Sequence, residues 1–455
     1  MDGVKIRQSF VDYYEGMGYR LLPRAPLLDP SIPMSFVMSA GLVQVENSLS
    51  RVQERKGDQF VLVQKCFRHF DLDKVGTDDI HLSLFEMPGA FVFGPDGKAG
   101  TVQRMYTLAT SVLGIDKNKI WASYFMGGKV QNNHLLEDTI TRQTWLEVGI
   151  SENHAIGLGP ENNYWMQGKG IDGNGATRKC GPNTELFFDR GEDKSCGVNC
   201  KPGCKCGRFV EFSNSLFICS EMNEENGALY PIANPFTETV IGTERVAMIR
   251  QGVQSVFDTE EYRPVIETIH RFVRVKDLPE ALISSSECVI ADHLKALYIL
   301  IADGAPPPGK DGRQRIVKML IRKVITRQMI LGIESEHFIP AVLESIWRAI
   351  QNDPAFEDSR EKIMLYFSSE KHRFLKTIER GSHRLLKLLK ENNDRTLSGI
   401  QIVCLEKECG LPHLLTAMEL RKKGLGFAVL EYNDALNAVE GLQSNYNDTE
   451  RRVRV

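Results

Sequence analysis

The sequence predicts an α+β chain, an antiparallel sheet flanked by helices and followed by an all-helical part. Strand-length apolar and alternating runs occur before about residue 251, whereas from residue 252 onward helical spacing takes over in long segments. One stretch, residues 61–98, reads as an apolar strand, a polar loop and a returning strand, the hairpin of such a sheet. With 455 residues, 42% apolar and 25% charged, the chain is long enough for more than one core. We expect a sheet-containing domain at 1–251, with a Cys-rich insertion at 196–206, and a helical domain at 252–455.

Composition narrows the function. A net charge of −3 argues against a protein that coats nucleic acid non-specifically, while leaving room for a local basic face. The opening MDGVKIRQSFVDYYEG has no apolar signal core, and the run near residues 296–302 is too short to span a bilayer. A cytoplasmic protein without a membrane partner is the expectation. Ten cysteines in a reducing compartment do not read as a disulfide framework, so clustered thiols point to metal or to chance.

Along the chain, residues 4–18 carry Ile6, Phe10, Tyr13 and Met17 at helical spacing and stop at Gly18, an entry helix before a Pro-rich segment. Strands at 60–67 and 81–93 flank a loop, 71–79, that holds Gly76 and four aspartates. Arg68 stands where the first strand meets the loop, and Glu86 lies on the returning strand. A guanidinium there can bind phosphate bidentately and a carboxylate opposite can accept from an exocyclic amine, which would hold a nucleotide; a surface ion pair fits the same spacing.

Helices at 101–113 and 138–148 bracket a strand at 121–125, and residues 163–174 form a loop in which Trp165 is a pocket wall or a core anchor. Cys196, Cys200, Cys204 and Cys206 then put four thiols within eleven residues. Thiolates on such a turn can hold a structural zinc ion, with Cys180 as a substitute if the tight final pair expels one member; a redox or incidental cluster is the other reading. Residues 208–218 alternate as a strand, and period two puts Phe212 and Asn214 on one side, Glu211 and Ser213 on the other. Helices are expected at 261–275, 287–302, 314–331, 337–352, 359–392 and 411–423. Residues 313–327 hold six basic and no acidic residues, with Arg315, Lys318 and Arg322 on one face that either tracks a phosphate backbone or faces solvent.

CFRHFDLDKVG followed by HLSLFEMPGAFVFG resembles the second signature motif of the alanyl-tRNA synthetase family, which is class II, and the likeness runs along nearly the whole chain. MSAGLVQV resembles the first motif, KCGPNTELFFDR a CGP-x-TE-x-x-x-D segment, RFVEFSNSLFI an EIWN strand, and PFTETVIGTERVAMIRQ the third motif. The resemblance implies a class II synthetase-like sheet, ATP with Mg²⁺ and a small amino acid as substrates, and tRNA as partner. It puts Arg68 on the α-phosphate, Glu86 on the adenine amine, Phe91 at the ATP, and Arg245 over adenine and at the γ-phosphate, with Glu244 orienting that arginine or holding Mg²⁺. Trp165, Phe212, Asn214, Glu238 and Val240 would line the amino-acid pocket, and the basic helix would grip the acceptor stem.

Departures from the family pattern matter as much. Members continue into an editing domain and a C-terminal oligomerisation domain without counterpart in this sequence, so a truncated paralogue is expected, its oligomeric state open. Glu238 stands where an Asp is expected, Val240 where a Gly is, and Phe212 for a smaller aliphatic, each adding volume near the pocket and favouring alanine or glycine. Ala90, Val92 and Pro95 replace Asn, Ser and Asp, whereas Lys98 is kept. Gly309 and Lys407 stand where an Asn and an Asp would read the G·U pair of the acceptor stem. Three functions are consistent with this: an alanyl-tRNA synthetase-like ligase, a paralogue passing the activated amino acid to a non-tRNA acceptor, and a non-catalytic nucleotide- or tRNA-binding module.

Overall fold

The computed structural model describes residues 1–29, 38, 41, 58–94, 97–168, 177–275, 277–350, 359–392, 396–427 and 429–438. The stretch resembling the first motif, and Pro95, therefore fall almost wholly outside the described residues. Helix α1 (Gly3–Glu15) starts where the Asp2 carboxylate accepts from the Lys5 amide, an N-cap, and it buries Ile6, Phe10, Val11 and Tyr14 along one stripe.

Strands β1 (Arg20–Leu21), β2 (Gln59–Phe67) and β3 (Leu84–Phe93) open the sheet. Helix α2 (Lys98–Thr107), β4 (Ile120–Phe125), a small separate hairpin β5 (Gly128–Val130) and β6 (Asn133–Leu135), and α3 (Thr139–Glu147) follow. The sheet is completed by β7 (Ala155–Leu158), β8 (Tyr164–Met166), β9 (Thr177–Asp189), β10 (Phe209–Asn223) and β11 (Leu229–Ile241). Its nine strands run β1-β2-β3-β11-β10-β9-β4-β7, with β8 on β9. Pairing is antiparallel except for β1 with β2 and β4 with β7.

Burial gives the sheet two unlike faces. On one, α1, α2 and α4 (Thr243–Gln251) pack Phe10, Met105 and Val246 against Val61, Ala90, Val92, Phe217 and Ile241. The other carries a smaller cluster, Phe60, Leu62, Phe91, Leu216, Ile218 and Phe236, with Trp165 against it. No helix contributes to that second cluster among the described residues; its side chains are buried, and a Cβ at Gly41 would sit 3.6 Å from the Phe91 ring and 3.9 Å from Leu62.

After α4 the described chain is helical: α5 (Arg263–His270), α6 (Glu280–Ala302), α7 (Gly312–Ile330), α8 (Phe338–Ala349), α9 (Ser359–Glu391), α10 (Gly399–Lys407) and α11 (His413–Lys422). Helix α6 is buried almost all round from Ser286 to Ile301, the pattern of a central helix. Its apolar cluster does not stop at the expected boundary near residue 251, because Phe67, Leu84, Val210 and Met248 belong to it as well. The hairpin loop also docks on α6: Gly76 has φ +74°, and a Cβ there would sit 2.7 Å from the Ser285 carbonyl oxygen, so only glycine fits without movement. No described helix is long and apolar enough to cross a membrane.

Candidate active site

Strand register assembles the candidate site on this second face. Cα pairing aligns Leu62, Gly89, Val240, Asn214 and Glu185 in one row across β2, β3, β11, β10 and β9, and Phe60, Phe91, Glu238, Leu216 and Asn183 in the next. Residues directly opposite in a ladder share a face, so Phe91, Glu238, Val240 and Asn214 line one floor. Trp165 joins from β8, paired with Gly181.

Arg68 closes the floor at the hairpin end. Its amide donates to the Ser83 carbonyl at 2.9 Å, and its guanidinium lies 4.9 Å from the Phe85 ring centroid, over a side chain two and four positions before Met87 and Gly89 on the same face of β3. Arg68 Nε is buried without a partner among the described residues. Asn214 donates to Glu185 Oε1 at 3.1 Å, while its own Oδ1 is buried and unpartnered. An orphan donor on a guanidinium and an orphan amide oxygen on one floor fit a ligand with a phosphate at one place and a hydrogen-bond donor at another.

Arg245 sits in the first turn of α4 and donates to the Glu211 carbonyl at 2.8 Å and its carboxylate at 3.3 Å. Burial pushes the Glu185 carboxyl up to about 9, the Glu211 charge adding to it, with the Ser123 hydroxyl and Arg245 opposing. Glu185 lies in the segment that resembles CGP-x-TE-x-x-x-D, where the sequence alone gives it no role. The signal that could have found it is its position opposite Asn214 in a regular ladder, which only the register reveals.

Three residues expected at the substrates lie elsewhere. Glu86 pairs with Lys65 and so faces the same way as Ala90 and Val92, toward α1, where its carboxylate meets Arg7 at 2.5 Å. Regular alternation over β3 puts it on the side opposite Phe91, away from Arg68's ring partner. Glu244 is buried, and its two carboxylate oxygens accept the Glu86 backbone N–H at 3.1 and 3.2 Å; it stitches α4 to β3 instead of orienting Arg245 or facing a metal. Burial pushes that carboxyl up to about 8, Lys295 opposing and Glu261 and Glu86 adding. Phe212 was expected beside Asn214, but β10 is bulged there: Glu211 pairs with Phe187 and Ser213 with Leu186, so Phe212 is the extra residue. The bulge turns its ring into the α1–α2–α4 core.

Behind the sheet, a cavity of about 1060 Å³ lies between α1, α4 and the helical part, lined among others by Arg7, Lys65, Glu86, Glu244, Glu261 and Lys295. Phe91, Asn214, Glu238 and Val240 do not line it, whereas Phe85, under the Arg68 guanidinium, does.

At the turn between β9 and β10, the Sγ atoms of Cys196, Cys200 and Cys204 lie within 4.8 Å of one another, and Cys206 Sγ is 3.5 Å from that of Cys200. Tetrahedral zinc with bonds of ~2.3 Å spaces its sulfurs ~3.8 Å apart, so the donor set fits such an ion. The turn is braced from both flanks. Arg208 grips both Asp189 oxygens at 2.8 and 2.7 Å, and Arg190 meets Asp79 at 2.9 Å and the Gln254 carbonyl at 2.7 Å. Cys180 is buried on β9 beside Tyr164 and is not in the cluster.

The basic helix is α7. Arg315 is exposed, Lys318 is half-buried, and Arg322 is committed to Glu370 of α9 at 2.7 Å with its guanidinium 4.8 Å from the Phe374 ring centroid. Arg373 also reaches Glu370, at 3.0 Å. The cationic face is thus partly neutralised from within.

A family model described as tRNA synthetases class II (A) matches residues 5–452. The alanine-tRNA ligase of Rhizobium johnstonii is 32% identical over 450 residues, covering 96% of this chain and 48% of that protein. The alanine-tRNA ligase of Alkaliphilus oremlandii is 28% identical over 426 residues, covering 92% and 46%. The chain therefore spans about half the length of the curated relatives it matches. Apo histidyl-tRNA synthetase from S. aureus superposes at a TM-score of 0.32 with 10% identity, over 56% of this chain and 68% of that one.

Proposed function

Because the chain belongs to the class II tRNA synthetase (A) family, we propose that it activates a small amino acid, alanine or glycine, with ATP and transfers it to tRNA. The observation that carries this reading is the floor on which Phe91, Asn214, Glu238 and Val240 share one side of the sheet, with Arg68 at its end and two orphaned polar atoms among them.

In the proposed reaction an amino-acid carboxylate oxygen attacks the α-phosphorus of ATP. The bond to the bridging oxygen of the β-phosphate breaks, and pyrophosphate leaves with that electron pair. A carboxylate is already nucleophilic, so no general base is required. The protein supplies position and charge: Arg68 at the α-phosphate through its free Nε, Arg245 at the γ-phosphate and adenine face, and Phe91 and Trp165 as apolar walls. Asn214 Oδ1 and the buried Glu238 carboxylate are acceptors suited to the substrate ammonium. Mg²⁺ would neutralise the triphosphate, and Glu211, beside Arg245, is the carboxylate on this side that would hold it or its waters. The cysteine turn would carry zinc in a structural role.

Selectivity follows from volume. Val240, packed over Gly89, and Glu238 narrow the floor, and one methylene is worth about 1–3 kcal/mol in such a pocket, enough to prefer alanine or glycine over larger side chains. A second reading, transfer to a non-tRNA acceptor, is favoured by Gly309 and Lys407 at the stem-reading positions and by Arg322 being occupied by Glu370.

Pyrophosphate exchange with each of the twenty amino acids tests activation. We expect exchange with alanine or glycine and its loss in Arg68→Ala; exchange undiminished in that variant would remove the phosphate assignment. Adding total tRNA separates the acceptors: label that becomes ribonuclease-sensitive supports tRNA, and turnover without it supports the second reading.

A further inference from the structure

Asp292 lies on the buried middle of α6, away from the floor of the sheet, yet it holds the backbone that opposes Arg68. Its Oδ1 accepts the Ser83 N–H at 2.9 Å, and its Oδ2 accepts the Ser83 hydroxyl. Ser83 in turn offers its carbonyl to the Arg68 N–H at 2.9 Å. Two positions further on, Phe85 carries the ring under the Arg68 guanidinium. One residue of the returning strand therefore fixes both the start of the Arg68 side chain and the surface it rests on.

The clamp is built to be rigid. Ser83, Asp292 and His293 are each 0% exposed. His293 Nδ1 lies 2.9 Å from Asp292 Oδ2, and burial holds the imidazole below its ordinary pKa, so the ring is neutral and donates from Nδ1. The carboxylate thereby receives three donors, the satisfaction a buried charge needs. Gly76, seated on Ser285 about two turns earlier on α6, docks the other end of the same loop.

We infer that Asp292 is a positioning residue for amino-acid activation: through Ser83 it sets the register and reach of Arg68, so the helical part of the chain helps define the phosphate contact. The inference rests on the activation reading above. Nothing in the sequence pattern points to it, because Ser83 and Asp292 are 209 residues apart.

The test compares wild type, Asp292→Ala, Ser83→Ala, Arg68→Lys and the Ser83→Ala/Arg68→Lys double variant in the full chain. Pyrophosphate exchange is read as kcat and as separate KM values for ATP and amino acid, with circular dichroism reporting folding. Asp292→Ala is expected to lower kcat about 100-fold, the cost of displacing a reacting group's partner by about 1 Å, with the amino-acid KM unchanged. Ser83→Ala, which keeps the backbone bond, should lower kcat about tenfold in wild type and less than about twofold in the Arg68→Lys background, because coupled residues are not additive. Equal losses in both backgrounds, or a raised amino-acid KM with kcat unchanged, would overturn the inference. If Asp292→Ala fails to fold, the Ser83 pair alone decides. If the wild type exchanges with no amino acid, the activation reading falls, and ATP affinity by calorimetry in the same Ser83 and Arg68 variants decides the positioning: a loss that vanishes in the Arg68→Lys background upholds it, and an additive loss overturns it.

Discussion

Glu86→Gln separates the two faces of β3. The wild-type carboxylate is 2.5 Å from Arg7 Nη1, with side-chain exposures of 17% and 29%, and it lies across the ladder from Lys65. Burial lowers the Lys65 pKa, and the Glu86 charge opposes that shift. Glutamine keeps an oxygen for Arg7 but removes the charge from both partners, so the variant should lose about 1–2 kcal/mol of stability, between an exposed pair and a broken buried one. Because the side chain points toward α1 and not toward Phe91, the KM for ATP should stay within about twofold, under 0.5 kcal/mol of binding. Urea unfolding followed by fluorescence measures the first quantity, and pyrophosphate exchange at varied ATP measures the second. A KM for ATP raised about tenfold, or 1.4 kcal/mol, with an unchanged unfolding midpoint would refute the assignment of faces and return Glu86 to the adenine amine.

Phe212→Ala should behave as a core truncation, costing about 3–5 kcal/mol of stability while the amino-acid KM of the remaining folded protein is unaltered. For Glu185 the sign is set by its raised pKa: from an ordinary 4.5 to about 9, so stability from this group is complete below pH 4.5 and is lost as pH rises toward 9. Glu185→Gln should therefore stabilise the nucleotide-free protein at pH 8 and leave it unchanged at pH 4, by urea unfolding at the two values; equal effects at both would contradict the assignment. Purified protein should hold about one equivalent of zinc by elemental analysis, and Cys200→Ser should lower both zinc content and thermal stability; less than about half an equivalent in the wild type counts against the site. Arg322→Ala should destabilise by about 2 kcal/mol, since it strips a partner from Glu370, whereas Arg315→Ala/Lys318→Ala should spare stability and weaken tRNA binding with a shallower salt dependence.

The hairpin was readable because its signals are local: apolar runs ending at Phe67 and Phe93, with Gly76 in the loop between them. The long helices were readable for the same reason, although α6 begins seven residues earlier, at Glu280, than its apolar pattern suggests. Alternation failed where the backbone departs from it. The bulge at Phe212 carries no marker such as glycine, so period two assigned that ring to the wrong face. Glu86 and Glu244 face away from the floor for another reason: motif order brings residues to a strand or a turn, but which side of the sheet they face depends on partners from α1, such as Arg7, that share no motif with them. Helix α10 went unrecognised, its apolar residues falling in a nine-residue span with a Ser398 cap bonded to Gln401.

Phe67, Leu84, Val210 and Met248 bury themselves among residues of the helical half. The sheet half keeps one core of its own, but the helical half's interior is closed only with residues from the sheet half. A protease cut near residue 251 would thus liberate two sticky remnants instead of two self-contained domains. Grafting this helical half onto another sheet would succeed only if such greasy contacts from the sheet half travelled with it.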